Sequence, residues 1–488
     1  MIAFRCQYNP TLKDIDNSAE YVVHMGNTSI AGVYPEGIRN YYTYITHNIY
    51  VGKSITNLSN MYSDTTINNY VELNNAVNLF YTFSLCQQFN QPVNIVKAVD
   101  MNGTFNACYN FNQTVNIPNT VINMCNTFNA CHNFNQPLIM PDSVTNATGI
   151  LNRAHNFNSN VVIGANVQSL DGAFSYCVNM KNPNIDFSKL NVPCRMYNMF
   201  YGCTNFNAPI VINKCSWAER MFQGCSNFNS PIIIEMLSNY DISCVYMFLN
   251  ATSFNSMVSI TINEAYRTRL NTAGFSSMFS GLRNFNSPVQ IPRLNNYKGY
   301  FDNMFTSCVN FNQPISDMFG DYTRDVSGMF AYCTSFNQNV IIPDSYNQYN
   351  CKNMLYQCTN FNGEIILGNG ANNCAYMMYN CQNFNHDITL PNTVMNASSM
   401  LCNCTNFGKN IYFKGNSYRA LDVSHLLYGT TFSIRKNVHF NQVLNNRFNM
   451  TNKSQSLQGG ISDIIWTSMT NGFYNDFYNI YCYYNYPG

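Results

Sequence analysis

The chain has 488 residues, of which 10% are charged, and 25 Lys and Arg against 24 Asp and Glu leave a net charge of +1. An ordinary soluble protein carries about 25% charged residues, so neither a nucleic-acid-binding basic face nor a polybasic membrane anchor is expected. Apolar residues at 46% and aromatics at 15% exclude a disordered chain, and no run of ~18 apolar residues is present to span a membrane.

Residues 1–74 open with Met1-Ile2-Ala3-Phe4-Arg5-Cys6, which does not read as a signal peptide. Tyr21-Val22-Val23, Tyr41–Ile45 and Ile49-Tyr50-Val51 are predicted strands between Gly and Asn turns. The segment is read as an N-terminal cap, which a stacked repeat needs for solubility, or as a docking module.

From residue 75 to 432 the chain repeats. Asn-Phe-Asn anchors at Phe89, Phe111, Phe134, Phe157, Phe206, Phe228, Phe254, Phe285, Phe311, Phe336, Phe361, Phe384 and Phe407, with Met180 as a degenerate copy, recur every 22 to 31 residues. The unit is Met-Phe-x-x-Cys-x-Asn-Phe-Asn-x-Pro-Ile-x-Ile-Pro, as in Met199–Ile212. Alternation in Ile210-Val211-Ile212 predicts a short strand bounded by Pro. The spacing of Met, Phe, Cys and the anchor Phe predicts about two turns of helix or 3₁₀ segment. Neither piece buries its apolar face alone, so neighbours must stack. The expected fold is an α/β repeat solenoid of about 14–15 rungs, with a parallel β-sheet on one face and caps at both ends.

This unit resembles the BspA-type leucine-rich repeat. The resemblance implies a leucine-rich-repeat-like solenoid, and a role as surface adhesin or protein-binding module rather than enzyme.

Eleven cysteines stand three residues before the anchor: Cys86, Cys108, Cys131, Cys177, Cys203, Cys225, Cys308, Cys333, Cys358, Cys381 and Cys404. Ala154, Ala251 and Leu282 fill the same slot elsewhere, so these read as buried free thiols acting as small apolar groups. A rival reading takes Cys351, Cys358, Cys374 and Cys381 as a zinc site, but their C-x₆-C spacing is not the usual C-x₂₋₄-C. The Asn after the anchor, as in Asn207 and Asn229, predicts an amide ladder that satisfies backbone groups from rung to rung. Phe206, Phe228, Cys203 and Cys225 are the matching structural ladder residues.

His132 and His155 lie one repeat apart and read as surface residues. No His-Glu-x-x-His, Walker loop, Gly-x-Gly-x-x-Gly or Gly-x-Ser-x-Gly stands in the chain. Neither catalysis nor a cofactor is expected. The 31-residue step between Phe254 and Phe285 holds the largest insertion, near Glu264–Gly274, predicted as a protruding loop with Arg267 and Arg269. Residues 433–488 end in a tyrosine-dense tail, read as a C-terminal cap or a partner-filling segment.

The middle residue of each predicted strand faces away from the core. Ile139, Val162, Val211, Ile233, Ile341, Ile366 and Tyr412 are the candidate partner-binding residues, with Asp186 the one charge among the first four. The expected function is a phage or viral virion component (decoration, tail or host-attachment protein), assembled in the host cytoplasm. The alternative is a BspA-like surface adhesin or intracellular scaffold. The expected partners are other virion or surface proteins, a host receptor or a glycan, and oligomeric assembly fits either setting.

Overall fold

In the computed structural model, residues 56–237, 241–263, 271–315, 317–413 and 425–430 are described, with the backbone of strands Glu20–Val23, Asn48–Val51 and Val438–Phe440. The chain divides into two compact units, Met1–Ser238 and Asn239–Gly488. Each is a parallel β-solenoid, and each is built from one rung plan.

The predicted Ile-x-Ile strands form the first ladder. In the first unit Leu138–Ile139, Val161–Val162 and Ile185–Asp186 pair in parallel, and Ile210–Trp217 pairs with Ile232–Leu237. In the second, Val340–Ile342 pairs with Ile365–Leu367, and Ile388–Leu390 with Ile411–Phe413, which pairs with Val438–Phe440. Alternation sets the faces: Ile210 and Ile212 are buried while Val211 between them is exposed.

A second ladder was not predicted. It runs through parallel bridges from Asn57 to Asn78, Asp100, Asn123, Asn146, Ser169 and Arg195 in the first unit. In the second it is a six-stranded sheet that includes Asn271–Gly274, Tyr297–Tyr300 and Thr323–Asp325. The Asn271–Gly274 strand corrects the expectation of a loop reaching Gly274; residues 264–270, with Arg267 and Arg269, lie outside the described residues. So do Tyr41–Ile45 and the tail beyond 440. Glu20–Val23 and Asn48–Val51, predicted as strands, pair in parallel. The rung at Asn57–Asp64 already bonds to the next, within the segment read as the cap.

Between the ladders, the predicted helix is absent among the described residues. A run of stacked turns replaces it. Two residues per rung, four apart, take the left-handed conformation: Asn126 (φ 51°) and Ala130 (φ 56°), or Asn198 (φ 54°) and Gly202 (φ 72°). A left-handed residue every four positions breaks an α-helix, and the amides divide their bonds accordingly. Leu79, Tyr81, Phe83 and Leu85 donate to the carbonyls of Asp100, Asn102, Thr104 and Asn106 on the next rung. Thr82, Ser84 and Cys86 instead donate back to Leu79, Tyr81 and Phe83 of their own turn. Every second N–H thus does a sheet's work, which apolar spacing alone cannot distinguish from a helical stripe.

The core lies inside these three walls. The anchor Phe and the Phe six residues before it form two stacked columns: Phe200 meets Phe206 at 4.5 Å, and Phe206 meets Phe228 at 5.6 Å, between ring centroids. All three rings are buried.

Candidate interaction faces

The asparagine ladder is present as expected. Asn207 Oδ1 accepts the Asn229 backbone N–H at 2.8 Å, and Asn112, Asn312 and Asn337 accept from Asn135, Asn337 and Asn362 in the same way. The Asn before the anchor makes a ladder of its own, largely through side-chain amides: Asn156 Nδ2 donates to Asn133 Oδ1, and Asn227 Nδ2 to Asn205 Oδ1, while Asn205 Nδ2 donates to the Val178 carbonyl. The sequence showed this residue in most copies, with Gln88, Ser253 and Ser335 as the exceptions, and the periodicity itself was the signal.

The cysteine slot does more than fill space. Cys203 Sγ donates to the Phe174 carbonyl at 2.9 Å, and Cys225 Sγ to the Phe200 carbonyl at 3.0 Å, each reaching to the preceding rung. Burial pushes these thiols up, Cys86 to about 11 and Cys404 to about 12, so they stay protonated and able to donate. Cys358 and Cys381 donate likewise to Phe330 and Leu355. Cys351 and Cys374 lie beside each other in a separate column. Among the described residues no three His, Cys, Asp or Glu side chains are grouped to hold a metal ion, and no helix is long and apolar enough to cross a membrane.

On the strand face, Ile139 is 65% exposed and Val211 56%, and Ile233, Ile341 and Ile366 are exposed too. Val162 and Tyr412 are half-buried. The register sets Ile139 beside Val162 and Val162 beside Asp186. It separately joins Val211 to Ile233, Ile341 to Ile366 and Thr389 to Tyr412. No strand pairing joins Asp186 to Val211, so the first four aliphatic groups form two pairs rather than one row. The Ser188 side chain, and then the Ser188 N–H at 2.8 Å, hydrogen-bond the Asp186 carboxylate and hold its pKa below the ordinary value, which keeps it charged.

Sequence reading missed the aromatic rows on the outer edge of the turn stack. In the first unit Tyr109, His132 and His155 stack at 4.4 Å steps, and the Arg153 guanidinium lies 5.9 Å from the Tyr176 ring centre. Partial burial, then His155 and Arg153, lower the His132 pKa. In the second unit Tyr332, Tyr356, Tyr376 and Tyr379 form a comparable group.

Five overlapping segments, residues 44–137, 78–189, 163–261, 262–368 and 349–445, match the family model described as "Mycoplasma protein of unknown function, DUF285". No curated protein matches the chain. Among solved structures, the chain is similar to a leucine-rich repeat protein from Bacteroides ovatus, at 15% identity over 71% of this chain and 78% of that one, with a TM-score of 0.39. It is also similar to a leucine-rich cell surface protein from Faecalibacterium prausnitzii, at 13% identity over 72% and 88%, with a TM-score of 0.28.

Proposed function

We propose that this chain, which belongs to the DUF285 family, is a non-enzymatic solenoid that holds other proteins on its strand face. The five successive family matches bear out the resemblance to BspA-type leucine-rich repeats. The observation that carries the reading is the registered pair Val211 and Ile233, both exposed on strands whose neighbouring side chains are buried. Covering such a pair buries apolar surface without desolvating ions, and the strand scaffold is already ordered, which keeps the cost of binding low.

The finer placement we propose is a phage or viral particle, with the chain as a decoration, tail or host-attachment component assembled in the host cytoplasm. The unbridged thiols support assembly in a reducing compartment. The second reading, a cell-surface adhesin or intracellular scaffold, is favoured by the Mycoplasma description of the family. Mass spectrometry of purified particles from the source decides between them: a stoichiometric chain supports the virion placement, and its absence from particles but presence on cells overturns it. For the face itself, Val211→Asp with Ile233→Lys leaves the fold intact by circular dichroism and abolishes partner capture. Unchanged capture refutes the strand face.

A further inference from the structure

The tyrosine row of the second unit sits on a different segment of the rung from the strand face. Tyr332 is 45% exposed and Tyr376 39%. Both take left-handed backbone, at φ 66° and 54°. Elsewhere the Tyr332 slot holds Gly202, Gly224 or Gly281 but also Leu85, Arg153 and Tyr176, and the Tyr376 slot holds Gly103, Gly149 or Gly328 but also Tyr81 and Tyr246. A bulky ring there accepts a conformational cost that glycine avoids.

The two exposed rings are braced by two half-buried ones. Tyr332 meets Tyr356 at 5.4 Å and 66°, edge to face, so their pairing does not bury both faces of either ring. Tyr356 stacks on Tyr379 at 5.0 Å, and Tyr376 leans on Tyr379 at 6.0 Å. The Asn403 amide donates to the Tyr379 hydroxyl at 3.3 Å. Across the turn segments 326–336, 351–361, 374–384 and 397–407, Lys352 is the one charged side chain, while Asn353, Gln357, Asn380 and Asn403 supply amides.

We propose that this ridge binds a neutral, linear polysaccharide. Sugar C–H faces stack on tyrosine rings, and sugar hydroxyls pair with amides; no part of that ligand asks for a charge, and the ridge offers almost none. A repeating surface supports a polymer over a folded protein: Tyr356 and Tyr379 stack on each other at 5.0 Å, which leaves Tyr332 and Tyr376, two rungs apart, as the rings open to a ligand. Tyrosine presents this area with little rotamer entropy to lose.

Affinity electrophoresis of the full chain through gels holding hydroxyethylcellulose, mixed-linkage β-glucan or xylan tests the proposal. At least one polymer should retard the wild type. Tyr332→Asn with Tyr376→Asn should weaken that retardation about tenfold or more, and Tyr332→Phe with Tyr376→Phe should largely keep it. Asn already occupies both slots in other rungs, at Asn250 and Asn353, so the backbone tolerates it. Val211→Asp with Ile233→Lys should leave retardation unchanged, which separates this site from the strand face. No retardation by any of the three polymers overturns the proposal. So does retardation that the Asn pair leaves intact, or loss of a protein partner from the Asn pair without any polymer binding, which would make the ridge a protein surface.

Discussion

Alkali should dismantle this molecule through its cysteines. All eleven ladder thiols are raised, and burial is the largest cause at each, with Cys86 at about 11 and Cys404 at about 12. An unfolded thiol keeps its ordinary value of 9.0. Above that pH the unfolded chain has released protons that the folded ladder still holds, so the unfolded state binds fewer and stability falls as pH rises. The contribution is intact below about pH 9 and is lost progressively up to the folded values. One pH unit above 9, each thiol costs about 1.4 kcal/mol. The first unit holds six ladder cysteines and the second five, hence about 8 and about 7 kcal/mol. A domain's whole stability is about 5–15 kcal/mol, so far-ultraviolet circular dichroism should show cooperative unfolding between about pH 9.5 and 11. Cys203→Ala with Cys225→Ala removes two of the six from the first unit. With Cys125, Cys194 and Cys215 also raised, the first unit holds nine such thiols, so its alkaline stability slope should then fall by about a fifth; other rungs carry Ala154 and Ala251 in that slot, so the fold tolerates the change. A chain still folded above about pH 12, or a slope that the double variant leaves unchanged, would refute the reasoning.

Phe206→Ala removes a buried ring stacked on Phe200 and Phe228 and should cost about 3–5 kcal/mol. Hydrogen exchange should quicken only around residues 180–235, since repeats couple to nearest neighbours; uniform loss along the chain would count against that. Ala130→Gly relieves a left-handed alanine and should raise stability by about 0.5–1 kcal/mol in urea melts, whereas Ala130→Val should lower it by more. Asn207→Asp keeps the oxygen that accepts from Asn229 and should be near neutral at pH 7, while Asn207→Ala should cost about 0.5–1.5 kcal/mol. Equal losses for the two would remove the ladder bond from the account.

What the sequence disclosed followed from periodicity. The repeat marked the strands at Ile210 and Ile232, the anchor column at Phe206 and Phe228, and the amide ladder at Asn207 and Asn229, because each recurs in a fixed slot. The second ladder stayed hidden because its members, Asn78, Asp100, Asn123 and Ser169, share backbone geometry rather than an apolar pattern. The turn stack was read as helix because apolar positions spaced by three and four occur in both. The left-handed pairs carried the distinguishing signal, yet residues as unlike as Gly202, Tyr176 and Arg153 fill one slot. The tyrosine row went unnoticed because its members come from different slots, four, five and eight residues before their anchors. Only the fold brings them together.

The bonds of the turn stack also give each unit a direction. From Leu58 to Asn78 and from Met124 to Asn146, as from Val326 to Asn350 and Cys374 to Asn396, the amide on the earlier rung donates to the carbonyl on the later one. This alignment, repeated along the stack, sums as in a helix but with opposite sense along the chain. Within this wall, the face of a rung turned toward later rungs offers donors and the face turned toward earlier rungs acceptors. Two identical faces brought together would set donor against donor, or acceptor against acceptor. A rung can therefore be extended only head to tail, and the stack behaves as a one-way lattice whose growth must be stopped by something of different construction.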